Sequence, residues 1–354
     1  MGAQTHKAFV VTEIGKPLSI VHDRETLKPG PGQVLIRVLI SGPNPHDQKA
    51  QGWGLFIADD LPAVLNNDVV GVVIALGPDV TKYSIGDHVV SHAGFDGSYT
   101  QSGLQEYALA DVAFSAKIPE GSTDDDGATL PTNVIAPLYA LFGEDALGIP
   151  APWSEEAKLF DYENTTLLVV GGGSNCGRFG VQLAALAGIG QIVVVGGDEA
   201  ELKSFGATHV IDRHGSTDEV TTRIRNAVGD ELIYAYDAVN SPAQQLVGIN
   251  ALSSTKKGKL ARLVRSGAEP LDESKVNQKA KGYELKNVFG SSQVKPQLSA
   301  PFWERVPGYL KEGKLKATKY TVVDLRDWDV AKVNALFGAY KDGKRVTKTH
   351  FHLA

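Results

Sequence analysis

The stretch "LLVVGGGSNCGRFGVQLAAL" (residues 167–186) decides the fold of this chain. Its aliphatic start is typical of a buried strand, the glycines 171–173 permit a tight turn, and apolar residues then recur at helical spacing. Exposed amides at the start of such a helix would face a bound pyrophosphate. A second aliphatic run, "QIVVVGG" (191–197), follows at the distance expected for a nucleotide-binding βαβ unit.

The glycine spacing departs from the G-x-G-x-x-G pattern of dinucleotide-binding loops. Gly171 and Gly173 fit the pattern, but Cys176 holds the third position and Gly177 lies one residue later. A glycine turn that binds no nucleotide therefore stays open as an alternative, although the strand, turn and helix together favour a phosphate cradle. The predicted cradle consists of Gly171, Gly172, Gly173, Ser174, Asn175, Cys176 and Gly177.

From residue 166 onward, aliphatic runs alternate with helix-like stretches, which indicates an α/β fold with a parallel sheet and crossover helices. Strands are predicted at 167–170, 192–195, 209–211, 232–236, 259–264 and 286–290. The first third instead has short alternating runs separated by glycine and proline, which predict an all-β, barrel-like domain. These runs lie at 34–40, 69–76, 86–92 and 104–110.

Between the two parts, an acidic cluster at 124–126 is interpreted as the start of a helix that runs from about Pro131 to Phe142. The tail predicts two helices, with strands that return to the first domain. We therefore expect one domain from residues 1–130 with 300–354 and a second from 131–299, which suits a chain of 354 residues.

Charge and composition exclude several kinds of partner. A net charge of -6 gives no electrostatic reason to expect nucleic acid or an acidic membrane surface. No window has the roughly 18 uninterrupted apolar residues of a membrane helix. The single cysteine, Cys176, excludes an internal disulfide. We expect a cytoplasmic protein whose substrate is a small molecule.

The end of the second predicted strand bears on the choice of nucleotide. NAD sites commonly place an acidic residue there to bind the ribose 2′-hydroxyl. Here Gly196 and Gly197 stand at that position, and Asp198 comes later. Lys203 and Arg213 are nearby cations that could meet a 2′-phosphate, with solvated surface side chains as the alternative. The sequence therefore predicts NADP(H), with Gly196, Lys203 and Arg213 in its site.

An ordered set of motifs resembles the medium-chain dehydrogenase/reductase superfamily, in its zinc-free quinone and enoyl reductase branch. "SGPNPHDQKAQG" (41–52) resembles the N-P-x-D segment of this branch. "NNDVVGVVIALGPDVTKYSIGDHVV" (66–90) resembles its paired strands. The glycine loop and the segment ending "FGATHVIDRHG" (205–215) are similar to fungal trans-acting, ToxD-like enoyl reductases. The resemblance covers nearly the whole chain.

This resemblance implies a GroES-like β-barrel catalytic domain and a Rossmann domain with a doubly wound parallel sheet. It also implies NADPH and hydride transfer to the activated C=C bond of an α,β-unsaturated carbonyl compound or a quinone. Asn44 would contact the nicotinamide or its ribose, and Thr132 would reach the nicotinamide end. A structural Asn-Pro turn and a helix-start hydroxyl are their respective alternatives. Val239, shortly after the fourth predicted strand, and Phe289, in the sixth, complete the predicted cofactor site.

Zinc is not predicted. In zinc-dependent members of the superfamily, a cysteine stands where this chain has Asn44, and Gly-His-Glu stands near "NND" (66–68). A catalytic zinc site needs about three converging ligands. His350 and His352 share a strand face, but chance placement explains them better than a metal pair.

Three functions stay open: reduction of free substrates, reduction of a polyketide bound to a carrier protein, and NADPH binding or redox sensing without turnover. No proton donor can be identified, because Tyr99 and Tyr139 are interpreted as core residues. Candidates for an apolar substrate wall, with ordinary core aromatics as the equal alternative, are Trp53, Phe56, Phe95, Phe302 and Trp303.

Overall fold

The computed structural model describes residues 4–95, 97–239, 241–263, 270–344 and 346–354. The chain divides into two compact units. The first unit comprises Met1–Thr132, Ser291–Gly313 and Ala317–Ala354, and the second comprises Asn133–Gly290 and Lys314–Lys316.

The strands of the described residues are β1 (Thr5–Val10), β2 (Ser19–Glu25), β3 (Gln33–Gly42), β4 (Asp68–Leu76), β5 (His88–His92), β6 (Tyr107–Asp111), β7 (Ser115–Lys117), β8 (Thr166–Val170), β9 (Gln191–Val195), β10 (His209–Ile211), β11 (Tyr234–Asp237), β12 (Gly258–Arg262), β13 (Tyr283–Asn287), β14 (Tyr320–Asp324) and β15 (Lys348–His352). The α-helices are α1 (Pro45–Trp53), α2 (Asp124–Ala128), α3 (Pro131–Phe142), α4 (Asn175–Ala187), α5 (Glu199–Ser204), α6 (Thr217–Val228), α7 (Pro242–Ala251), α8 (Pro296–Lys311) and α9 (Val330–Lys341).

The first unit is built on two sheets. β1 and β2 form an antiparallel ribbon, and a larger sheet has the order β14-β15-β3-β4-β5-β7, with β6 also paired to β3. The C-terminal strand β15 is antiparallel to β3, with Phe351 opposite Ser41, so the tail joins the middle of this sheet. Alternating burial along β3 places Ile36 and Val38 in the core, where Phe351 also lies.

The second unit contains one parallel sheet in the order β10-β9-β8-β11-β12-β13. In chain order this is 3-2-1-4-5-6, the doubly wound arrangement in which ligands bind beyond the carboxyl ends of the strands. The predicted parallel sheet is therefore confirmed. The predicted strand 259–264 ends at Arg262 among the described residues, and position 264 lies outside them.

Helix α3 covers the predicted span, but the role expected of the acidic cluster is wrong. Thr123 caps a separate short helix, α2, because its side chain accepts a hydrogen bond from the Asp126 backbone and the Asp126 carboxylate accepts one from Thr123. This capping box uses the acidic cluster to begin α2, and α3 then begins afresh at Pro131.

Candidate active site

The glycine loop joins β8 to α4 in the second unit. Gly171 takes a left-handed backbone conformation with φ +94°. Ser174 then caps α4, since its Oγ accepts a hydrogen bond from the Gly177 amide at 2.9 Å. The backbone amides of a first helical turn have no acceptor within the helix. The start of α4, at the edge of the sheet, is therefore the candidate anion-binding end.

Packing against neighbouring atoms explains why positions 172 and 177 of the loop are glycine, but it does not explain the glycine at position 173. A Cβ on Gly172 would lie 2.3 Å from Val194 Cγ1, and a Cβ on Gly177 would lie 2.2 Å from a backbone oxygen of the loop. A Cβ on Gly173 would meet its nearest atom, Gly197 Cα, at an ordinary 3.4 Å. Since the protein does not require glycine at 173, the position fits the close approach of a ligand phosphate.

If the loop holds the predicted NADPH, we expect Gly173→Ala to weaken its binding about tenfold while the free energy of unfolding stays within about 0.5 kcal/mol of the native value. The neighbouring Gly172→Ala is the matched control, and it should lower that free energy by about 1–3 kcal/mol, because its methyl group collides with Val194. Calorimetric titration with NADPH and urea denaturation measure the two effects. Native affinity in Gly173→Ala would show that the loop does not approach the pyrophosphate.

The other cofactor residues predicted in the second unit follow neighbouring strands of the same sheet. Gly196 follows β9, Arg213 follows β10, Val239 follows β11 and Phe289 follows β13. Because the strands are parallel, these positions share the carboxyl edge with the glycine loop. Val239 and Phe289 leave 46% and 43% of their surface exposed, so this edge presents apolar side chains beside the helix amides.

The charged side chains near this edge differ in the contacts that they already make within the protein. Asp198 caps α5 with its carboxylate, so it serves the helix start. Lys203 forms an exposed ion pair with Glu199 at 2.7 Å. The Arg213 side chain packs against Gly196, where a Cβ would lie 3.0 Å from Arg213 Cδ. Among the described residues the Arg213 guanidinium forms no ion pair, which leaves it available to an anion.

In the first unit, two predicted site residues meet at one buried carboxylate. Asp68 Oδ2 accepts hydrogen bonds from Asn44 Nδ2 at 2.9 Å and from Lys348 Nζ at 2.5 Å. Asp68 Oδ1 accepts one from the backbone amide of Thr132 at 2.8 Å. The ammonium of Lys348 also donates to Asn44 Oδ1 at 3.2 Å. We call these four residues the Asp68 cluster.

The Asp68 cluster determines what Asn44 offers to a ligand. Its Nδ2 group already donates to Asp68 and to the carbonyl of Gly42, at 2.9 and 3.3 Å. Its remaining capacity is a lone pair on Oδ1. Burial alone would raise the pKa of Asp68, but the charge and hydrogen bond of Lys348 lower it, so Asp68 stays ionised.

The hydroxyl of Thr132 faces a neutral imidazole. Its Oγ1 lies 3.5 Å from His92 Nε2, and His92 Nδ1 lies 2.9 Å from Ser292 Oγ. Burial lowers the pKa of His92 to about 4. Trp303 Nε1 donates to the same Ser292 oxygen at 2.9 Å, which ties this histidine to the core.

The aromatic candidates for a substrate wall separate into two groups. Phe302 and Trp303 are fully buried, which agrees with the alternative that they are core residues. Phe56 and Phe95 line a pocket of the first unit, with ring centroids 4.9 Å apart. Trp53 is 61% exposed and is not among the residues that line this pocket.

Sequence reasoning missed two residues of this region. Lys348 lies 280 positions from Asp68, and no local pattern connects them. His46 occupies the variable position of the N-P-x-D segment and lines the pocket with Phe56. Its place between Asn44 and Asp47 was the one available signal.

The histidines of β15 contact a carboxylate. His350 Nδ1 and His352 Nε2 lie 2.7 and 3.0 Å from Asp125 Oδ1. Across the described ranges, no group of three or more His, Cys, Asp or Glu side chains is arranged to hold a metal ion. Nor does any helix in this part of the chain have the length and apolar character needed to cross a bilayer.

Two family models match the chain: an alcohol dehydrogenase GroES-like domain over residues 30–120 and a zinc-binding dehydrogenase domain over residues 176–306. A curated relative, the trans-enoyl reductase tazE of Aspergillus terreus, is 30% identical over 275 residues, which make up 75% of this chain and 87% of the relative. With the observed sheet orders, these matches confirm the expected pairing of a GroES-like and a Rossmann domain.

Solved structures show the same fold. The CurK enoyl reductase superposes with a TM-score of 0.73 at 19% identity, covering 98% of this chain and 99% of its own. Mycobacterial Rv1454c complexed with NADPH gives a TM-score of 0.71 at 22% identity, covering 99% and 100%. At these identities, the likeness supports the fold and nothing more specific.

Proposed function

The chain belongs to the medium-chain dehydrogenase/reductase superfamily, with fungal trans-enoyl reductases among its relatives, and from this premise we propose that it is an NADPH-dependent reductase. The bond reduced is the activated C=C bond of an α,β-unsaturated carbonyl compound, with quinones as a neighbouring substrate class. The observation that carries the proposal is the carboxyl edge of the second unit. It combines the start of helix α4, a glycine that internal packing does not require, and the cation of Arg213.

NADPH, when bound, supplies the hydride. The amides at the start of α4 would hold its pyrophosphate, and Arg213 would take its 2′-phosphate, with little contribution from Lys203, which is already paired with Glu199. Asn44 and Thr132 are assigned to the nicotinamide end. Addition of hydride to the β-carbon builds negative charge on the carbonyl oxygen, so the protein must orient the substrate and later deliver a proton.

The pocket of the first unit supports an apolar substrate. Phe56 and Phe95 form one of its walls, and Leu55, Ile57 and Leu65 add aliphatic surface. We propose that the reaction proceeds without zinc, since amide side chains stand at 44, 66 and 67 where zinc-dependent members carry ligands or their neighbours. An apolar enone or enoyl thioester matches this lining.

Oxidation of NADPH at about 340 nm with a panel of enones, 2-alkenals, enoyl thioesters and quinones tests the function. We expect turnover that prefers NADPH over NADH and persists in the presence of a chelator. Arg213→Ala should lower kcat/KM with NADPH by about 10- to 100-fold and leave the value with NADH unchanged, because NADH lacks the 2′-phosphate.

The control is Lys203→Ala. Because the Lys203 ammonium is already paired with Glu199, its removal should lower kcat/KM with NADPH by about threefold or less. Dissociation constants for NADPH and NADH, measured by calorimetry, provide a readout that does not depend on turnover. Equal loss with both nucleotides in Arg213→Ala would contradict the assignment of the 2′-phosphate site. NADPH binding without oxidation by any substrate would favour a redox sensor.

A second candidate function is reduction of a polyketide held on a carrier protein. The name of the relative, a trans-enoyl reductase, favours it. This candidate predicts slow turnover of free enoyl thioesters and rapid turnover of the same acyl group on a carrier protein. Equal rates for both forms would favour the free substrate.

A further inference from the structure

His46 is an ionisable residue in the lining of the first unit's pocket. It is the second residue of α1, and its ring lines the pocket with Phe56 and Phe95. The imidazole packs edge-on against Phe95, with ring centroids 5.9 Å apart. About a fifth of the side chain is exposed (20%), so a substrate in the pocket would touch the ring.

Asn67 fixes which nitrogen of His46 carries a hydrogen. The Nδ2 group of Asn67 donates to the carbonyl oxygens of Ala93 and Gly94, at 3.0 and 3.4 Å. Its Oδ1 therefore faces His46 Nε2 at 2.9 Å, and Nε2–H is the donor in this bond. Among the described residues, no hydrogen-bond partner is found for Nδ1, the nitrogen left for a substrate.

A buried carboxylate stands beside the ring. Asp47 Oδ1 lies 3.6 Å from His46 Nε2, and the two Asp47 oxygens also accept hydrogen bonds from the amides of Asn44 and Asn66. Burial raises the pKa of Asp47, while the charge of His46 and these two amides lower it. The Asp47 carboxyl group therefore lies on the Nε2 side of the imidazole, the side that also faces Asn67.

The neighbouring imidazole does not offer the same chemistry. His92 on β5 is fully enclosed, and burial lowers its pKa to about 4, so it is neutral at pH 7. Its two nitrogens already face Ser292 and Thr132. It also does not line the pocket that holds Phe56.

We propose that His46 is the proton donor of the reduction, a role that rests on the proposed function. Hydride from NADPH forms the new C–H bond at the β-carbon, and the π electrons of the double bond move to the carbonyl oxygen as an enolate. The Nδ1–H of protonated His46 then passes its proton to the α-carbon, and the enolate electrons form the second C–H bond. His46 is left as the neutral imidazole with Nε2–H on Asn67, and solvent restores its proton.

The test compares His46→Asn and His46→Ala with His88→Asn, a half-exposed histidine that also pairs with a carboxylate, Asp124, outside the pocket. We expect both His46 variants to lose kcat by about 100-fold, and the His88 variant to keep the native value. NADPH affinity and the circular dichroism spectrum should be unchanged in all three.

Two readouts separate proton donation from a structural role. Added imidazole should restore part of kcat in His46→Ala, whose missing ring leaves room in the pocket, and should leave kcat of the wild type and of His88→Asn unchanged. In His46→Asn the solvent deuterium isotope effect on kcat should rise and the effect of deuterated NADPH should fall, since protonation becomes the slow step.

If the wild type turns over substrate and His46→Asn keeps the native kcat, the proton-donor role of His46 is overturned, but the proposed function is not. Loss of kcat without imidazole rescue and without a change in isotope effects overturns it as well, in favour of a packing role. A wild type that oxidises NADPH with no substrate of the panel overturns the proposed function, and the role of His46 falls with it.

Discussion

We expect Lys348→Met to be less stable than the native protein by about 3–5 kcal/mol. The ammonium of Lys348 contacts Asp68, and the two side chains are 1% and 0% exposed. Methionine fills a similar volume but leaves the Asp68 carboxylate with neutral donors only, and a buried charge without a counter-charge is costly. Urea denaturation at neutral pH, followed by circular dichroism, measures the loss.

Two further variants define the cause. Lys344→Met removes an ammonium four residues away that is 67% exposed and lies 3.3 Å from Asp342, and it should cost about 0–1 kcal/mol. The double variant Asp68→Asn/Lys348→Met should recover most of the lost stability, because neither buried charge remains. A Lys348→Met variant as stable as Lys344→Met would mean that Asp68 is not held ionised in the native protein.

The sequence was most informative where structure depends on neighbours along the chain. The strands of the second unit, the turn at Gly171 and the span of α3 follow from aliphatic runs, glycines and a proline within a few residues. Even so, the acidic cluster was assigned to the wrong helix, because the capping bond between Thr123 and Asp126 depends on the backbone path.

The Asp68 cluster of the first unit depends on contacts between segments that are far apart in the sequence. Asp68 meets Lys348 only because β15 returns to pair with β3, and no periodicity in the sequence reports that pairing. Trp303 looked suitable for a substrate wall, but the bond to Ser292 places it in the core. Aromatic residue type alone does not distinguish a pocket from a core.

The second large effect we expect is a loss of stability in mild acid. Burial lowers the pKa values of His92 and His350 to about 4, while an unfolded histidine has a pKa of about 6.5. Between these values the unfolded chain binds more protons than the native one, so stability falls as the pH falls. The contribution is fully present above about pH 6.5, is lost progressively down to about pH 4, and amounts to about 3 kcal/mol per histidine.

The variant His92→Asn isolates one of these contributions. Between pH 6.5 and 4 its free energy of unfolding, from urea curves at each pH, should fall by about 3 kcal/mol less than that of the native protein. The raised pKa of Asp47 acts in the opposite direction within this window, but it is common to both proteins and cancels in the difference. His22→Asn, at an exposed position of β2, should reproduce the native pH dependence. Parallel curves for the native protein and His92→Asn would mean that the imidazole is protonated inside the fold, paired with the charge of Asp68.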